Sequence, residues 1–119
     1  DSSTSRGLGD VYKRQSCDYP IYGKAVAEAI AAGKQDLGIL ICGTGIGMSM
    51  VANKVEGVRA ALCSDCFSAQ ATREHNNANV LCMGARTIGP GLALMIVDKF
   101  VDTPFSYDER HVRRIKMFS

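Results

Sequence analysis

Residues 37–50 read LGILICGTGIGMSM. Leu37, Ile39, Leu40 and Ile41 form an apolar run that ends on Cys42; glycines follow at 43, 45 and 47, and helical spacing then begins. A buried parallel strand reads as a continuous apolar run, and open α/β sheets place their ligands at the carboxyl ends of such strands. Glycines let the backbone turn tightly and bring its N–H groups close to an anion, while the amino end of the next helix adds positive potential. A cysteine on that rim sits where a thiol can be made more acidic, and so serve as base or nucleophile. The segment reads as an active-site loop. The competing reading, a tight turn with glycines for packing alone, is opposed by the polar Thr44 and the rim cysteine. Met48 stands where a GxGxxG fingerprint from Gly43 needs glycine, and the loop has no Walker-type lysine, so nucleotide binding is disfavoured.

Ahead of this segment, Asp18 can cap a helix and Pro20 suits its first turn. Ala25, Val26, Ala29 and Ile30 share one helical face, and Gly33 supplies a stop. The pattern predicts a helix over 20–32, a strand over 37–41, and a helix from the glycine loop to about Lys54. Beyond it, Val58–Leu62 reads as a second strand and Asp65–Glu74 as a helix capped by Ser64 or Asp65. Val80–Met83 reads as a short third strand. Pro90 opens a helix to about Val101 carrying Leu92, Leu94, Met95, Ile96, Val97 and Phe100, and a basic helix begins near Tyr107. The order α-β-α-β-α-β-α-α implies an α/β fold, a parallel sheet with right-handed crossovers. A doubly wound domain should begin with a strand, and none precedes the helix at 20–32. The pattern lacks its first β-loop-α unit, or takes that edge from another subunit.

The 119 residues suit one domain, with 46% hydrophobic and 22% charged residues as in ordinary soluble proteins. A formal charge of +2 is too small to imply nucleic acid or an anionic membrane as partner, and no apolar run approaches a bilayer span. Residues 1–15, DSSTSRGLGDVYKRQ, are rich in Ser, Gly and Arg without helical or strand periodicity. They read as appended sequence, so residues 1–16 are expected to be a non-native or disordered segment and 17–119 the domain.

Five cysteines (17, 42, 63, 66 and 82) is an odd number. Without a secretory signal, reduced thiols in a cytoplasmic protein are the better reading. Cys63-Ser64-Asp65-Cys66 has CxxC spacing, but neither a second CxxC nor paired histidines accompany it, so no metal site is expected.

His75-Asn76-Asn77-Ala78-Asn79 lies between a helix and the next strand. The histidine could be a helix-end cap or belong to a polar pocket, which the asparagines favour. Arg110 and Arg114, four apart, would share a helix face. They suit bidentate grip on a phosphate dianion, or equally a solvated basic helix end. A thiol, an oxyanion-type loop, a histidine and an arginine pair together suggest chemistry on a phosphorylated small molecule.

From about Asp18 to Met117 the chain resembles the ribose-5-phosphate isomerase B family of sugar-phosphate isomerases, which includes galactose-6-phosphate isomerase. The carrying segments are DYPIYGKAVAEAI, LGILICGTGIGMSMVANKV, GVRAALC, REHNNANVLCMGART and ERHVRR. The resemblance implies a Rossmann-like three-layer α/β/α sandwich with five parallel strands, working as a homodimer or homotetramer, without metal or organic cofactor. It implies interconversion of ribose 5-phosphate and ribulose 5-phosphate through a cis-enediolate. Carried over by motif, Cys42 is the base, and the backbone of Gly43, Gly45, Ile46 and Gly47 stabilises the enediolate oxygens. Thr44 and His75 assist furanose opening, Asn76 holds sugar hydroxyls, Arg110 and Arg114 hold the phosphate, and Tyr19 lines the cleft. The resemblance also implies that the site straddles a dimer interface, with the His75 segment serving the neighbour's Cys42.

Some relatives use a loop glutamate as the base, and no acidic residue lies between Gly43 and Asn53 here. Family members open with a strand ending in a Cys-Asp-His-Ala-Gly type motif, which Asp1–Ser16 does not match. The implied missing piece is on the order of 40 residues, a β-loop-α unit and a little more. The other readings are a galactose- or allose-6-phosphate isomerase and an inactive truncated sugar-phosphate-binding module, with a thiol redox protein a distant fourth.

Overall fold

The computed structural model describes residues 18–119; the expectations for residues 1–16, and Cys17, lie outside the described residues. The elements are α1 (Tyr19–Ala31), β1 (Gly38–Cys42), α2 (Ile46–Ala52), β2 (Ala60–Leu62), α3 (Cys66–Asn76), β3 (Val80–Gly84), α4 (Pro90–Asp102) and α5 (Glu109–Lys116). Their order is the one the apolar periodicity predicts.

The three strands pair in the order β1-β3-β2, all parallel. Gly38 through Cys42 align with Val80 through Gly84, and Ala60 through Leu62 with Val80 through Cys82. From β1 to β2 the chain skips one place, and from β2 to β3 it steps back into it. Crossovers of one hand running in opposite directions must use opposite faces of the sheet. Accordingly α2 lies with α1 on one face and α3 with α4 on the other. Leu40, Val80 and Cys82 pack against Ala27 and Ile30 of α1 and Met48 and Ala52 of α2. Leu81 and Met83 pack against Ala69 of α3 and Ile96 and Phe100 of α4, flanked by Ile39 and Ile41. This is a Rossmann-like α/β/α sandwich. Every residue of the central strand β3 is buried, which is why Val80–Met83 is continuously apolar.

Several details differ from the expectation. The buried face of α1 is Gly23, Ala27 and Ile30, with Val26 half-buried, and Ala25 points to solvent. Gly23 is the reason the face rotates, for a Cβ there would come within 3.0 Å of Met48 Sδ. Asp18 occupies the cap position of α1, but its side chain makes no capping hydrogen bond. Asp65, not Ser64, caps α3, its carboxylate accepting from the Ser68 N–H at 2.6 Å. On α4 only Ile96 and Phe100 are fully buried, and Leu92, Leu94 and Met95 are exposed. Among the described residues, no helix is long and apolar enough to cross a membrane.

Candidate active site

At the carboxyl edge of the sheet, β1 ends on Cys42 and β3 ends beside it on Gly84. The half-buried Cys42 Sγ accepts the Gly45 N–H at 3.1 Å. That turn requires Gly45 at φ +81°, where a Cβ would also fall 2.6 Å from Leu62 and 2.8 Å from the Met83 backbone. Thr44 is exposed, and its Oγ1 accepts the Ile46 N–H at 3.2 Å. The Gly45 and Ile46 N–H groups are thereby occupied. Those of Gly47 and Met48, in the first turn of α2, have no intrahelical acceptor. The Tyr19 phenol lies over Gly47 so closely that any Cβ there would overlap its hydroxyl.

The loop after β3 latches onto this turn. Ala85 N–H donates to Cys42 O at 2.8 Å and Arg86 N–H to Gly43 O at 3.0 Å. The latch brings the exposed Arg86 over Gly43, its Cδ 3.8 Å from where a Cβ would stand. Arg86 is the cation that reading the sequence missed. Its signal was position, two residues past the end of a strand beside the glycine loop.

Cys63 and Cys82 are buried thiols. Burial, then the neighbouring Cys42 and Cys63, pushes the Cys82 thiol up to about 12. Burial, then Asp65, pushes Cys63 up to about 11. Both stay protonated at neutral pH, so Cys63 is a poor redox partner for Cys66 despite the CxxC spacing.

The other site candidates gather at the opposite, amino edge. His75 and Asn76 close α3, just before the chain turns into β3. Both are exposed, and Asn76 lines a cleft of about 450 Å³ with Arg59, Thr72 and Phe118. Asn77, in the left-handed region at φ 48°, takes Arg59 Nε on its carbonyl at 2.8 Å. Asn79 accepts the Arg59 N–H at 2.7 Å and donates to Gly57 O at 3.0 Å. Asn77 and Asn79 therefore fasten the turn, and Asn76 is the asparagine presented to the cleft. The segment before α5 docks on the end of α3 through Ser106 N–H to Glu74 O at 3.1 Å, and the His75 and His111 rings stand 4.5 Å apart. Arg110 and Arg114 both lie exposed on α5, the first 3.5 Å from Asp108.

Within one chain, then, the expected site residues fall into two groups. Cys42, Gly43, Thr44, Gly45, Ile46, Gly47 and Tyr19 are at one end of the sheet; His75, Asn76, Arg110 and Arg114 are at the other. The five residues of β1 separate them by about 15 Å.

The chain and its fold match known proteins. Residues 5–118 match the ribose/galactose isomerase family. The chain belongs to that family. The Escherichia coli protein named ribose-5-phosphate isomerase B is 47% identical over 105 residues, which cover 88% of this chain and 70% of that protein. The galactose-6-phosphate isomerase subunit LacB of Clostridium acetobutylicum is 46% identical over 98 residues, 82% of this chain and 57% of LacB. The solved structure of Trypanosoma brucei type B ribose 5-phosphate isomerase superposes with a TM-score of 0.85 at 50% identity. That match covers 86% of this chain and 68% of the other. As a member of the ribose/galactose isomerase family, the chain is an aldose–ketose isomerase of the sugar-phosphate type.

Proposed function

We propose that the chain interconverts ribose 5-phosphate and ribulose 5-phosphate, with Cys42 as the base. The observation that carries this reading is the thiol on the carboxyl rim, its sulfur receiving the Gly45 N–H inside a turn that only glycine can make. From the open-chain aldose, Cys42 takes the C2 proton and returns it to C1. The enediolate oxygens face the backbone of the glycine turn at its Gly47 end, a donor fixed before the charge develops. Thr44 and His75 exchange the protons that open the furanose, and Asn76 holds a sugar hydroxyl. Arg110 and Arg114 grip the phosphate as a forked pair.

The two groups of residues are too far apart to meet one sugar phosphate within a single chain. We therefore assign the working enzyme as a homo-oligomer in which the carboxyl edge of one protomer faces the amino edge of its partner. The four free thiols among the described residues support a reducing, cytoplasmic location.

The test is Cys42→Ala assayed on ribose 5-phosphate, with circular dichroism to follow the fold. Loss of a general base is expected to lower kcat by roughly 10²–10⁴. Turnover at the wild-type rate in a folded variant would remove Cys42 from the role. The resemblance to LacB favours one second reading, a hexose 6-phosphate substrate. Comparing kcat/KM for ribose 5-phosphate and galactose 6-phosphate separates the two, since specificity is that ratio. Calorimetric binding of ribose 5-phosphate without turnover would instead mark a binding module.

A further inference from the structure

The chain has two histidines, and they touch each other. His75 is half-exposed at the end of α3, whereas His111 on α5 is buried, with 7% of its surface exposed. Their ring centroids are 4.5 Å apart and their planes tilted by 35°. The His111 ring cannot turn freely, because its Nδ1 lies 2.7 Å from Ser106 Oγ. Ser106 is itself held twice. Its N–H donates to the carbonyl of Glu74, the residue before His75, and its Oγ accepts the Asp108 N–H at 3.1 Å. The hydroxyl proton can then go to Nδ1 of a neutral imidazole. Nothing in the assigned chemistry uses this buried, anchored ring.

We propose that His111 is a positioning residue for His75: anchored by Ser106, its ring fixes the plane of the His75 imidazole for proton exchange with the furanose oxygen. The role rests on the assignment of His75 to ring opening. In that step the C1–O4 bond breaks, O4 gains a proton and the anomeric hydroxyl loses one, leaving the open aldehyde. Delivery to O4 depends on where one imidazole nitrogen points, so holding the ring plane lowers the cost of reaching the reactive geometry.

A neutral partner suits this task, since a cation would compete with a proton on His75. The groups facing the pair are Glu74 from α3, whose Oε1 is 3.8 Å from His75 Nε2, and Asp108, Arg110 and Arg114 from α5. Burial, then His75 and Arg110, holds His111 below the usual histidine range, with Asp108 opposing and Arg114 adding to the effect. His111 thus presents a rigid uncharged surface through neutral pH.

The test uses wild type, His111→Phe, Ser106→Ala and His75→Gln of the full chain on two substrates. One is ribose 5-phosphate; the other is its 4-deoxy analogue, which has no ring oxygen to close a furanose. His111→Phe and Ser106→Ala are expected to lower kcat on ribose 5-phosphate about tenfold with KM held within about twofold, and to spare the analogue. Equal loss on both substrates, or no loss, overturns the proposal. Proton NMR gives a readout independent of turnover, because only two imidazoles contribute. The expected spectra show cross-relaxation between the rings that Ser106→Ala abolishes, and a His111 titration midpoint that rises in His75→Gln. Rings that titrate independently and show no cross-relaxation overturn the contact, whether or not the chain is active. A wild-type chain inactive on both sugars overturns the assigned reaction and the role in ring opening with it, while the spectra still decide the contact.

Discussion

The two edges of the sheet present functional groups in opposite ways. At the carboxyl edge the chain's own backbone does the work. Gly45 turns with positive φ, Gly84 packs where a Cβ would meet Thr44 at 2.7 Å, and two backbone hydrogen bonds latch the loops together. At the amino edge, long side chains do it. Arg73 donates to Thr103 O, to Asn77 Oδ1 and to Ala78 O, and His75, Arg110 and Arg114 project from helix ends. A base that must meet a carbon-bound proton gains from a frame without rotatable bonds. Groups that grip a phosphate or relay a proton tolerate, and use, the reach of a side chain.

The sharpest way to break this comparison is to separate the edges genetically. Cys42→Ala and His75→Gln are each expected to cost about 10²–10⁴ in kcat. If the site spans two protomers, mixing and reassociating the variants makes half of the dimers mixed, each with one intact site. About a quarter of the wild-type activity then returns. No recovery in a mixture shown to exchange subunits would place both edges' roles within one chain.

The next effect concerns rigidity. Gly45→Ala must hold an L side chain at φ +81° and push a Cβ against the Met83 backbone. A loss of about 2–4 kcal/mol in urea unfolding is expected from backbone strain and overpacking combined. A variant as stable as wild type would show that the turn has a second conformation. At the amino edge, Arg73→Met removes the hydrogen bonds to carbonyls together with the guanidinium's contact with the Phe100 ring. About 2 kcal/mol is expected, with the loss confined to the α3 end in hydrogen exchange. Uniform loss of protection would mean that this edge is as integral to the core as the other.

The smallest effect is a pH dependence that the amino edge alone should show. His111 titrates below the usual histidine range in the folded chain, so between its folded and unfolded values the unfolded state binds more protons. Stability is then full above about 6.5 and falls as pH drops through that value toward the folded one. His111→Phe should flatten this limb of the melting temperature against pH. An unchanged profile would assign the limb to other groups.

Much of the fold was legible before any coordinates. The apolar run into Cys42, the Pro20 and Pro90 helix starts and the Asp65 cap each state a local preference that the tertiary structure respects. The misreadings share one cause. Periodicity says that Ala25 or Leu94 sits on an apolar arc, but which part of that arc meets the sheet is decided by neighbours such as Met48 against Gly23. The CxxC spacing was ambiguous between chemistry and packing, and Cys63 is buried among the core residues with its thiol pushed up to about 11.

By itself the sequence determined the order of the elements, the glycine turn beneath Cys42 and the chemical types available, because these follow from local periodicity and backbone freedom. Only the tertiary structure decided which residues share an edge. It put Arg86 beside the glycine loop, His111 against His75, and Cys42 about a strand's length from His75. Distances between residues far apart in the chain are set by how strands stack and helices return, and spacing along the chain carries no record of either.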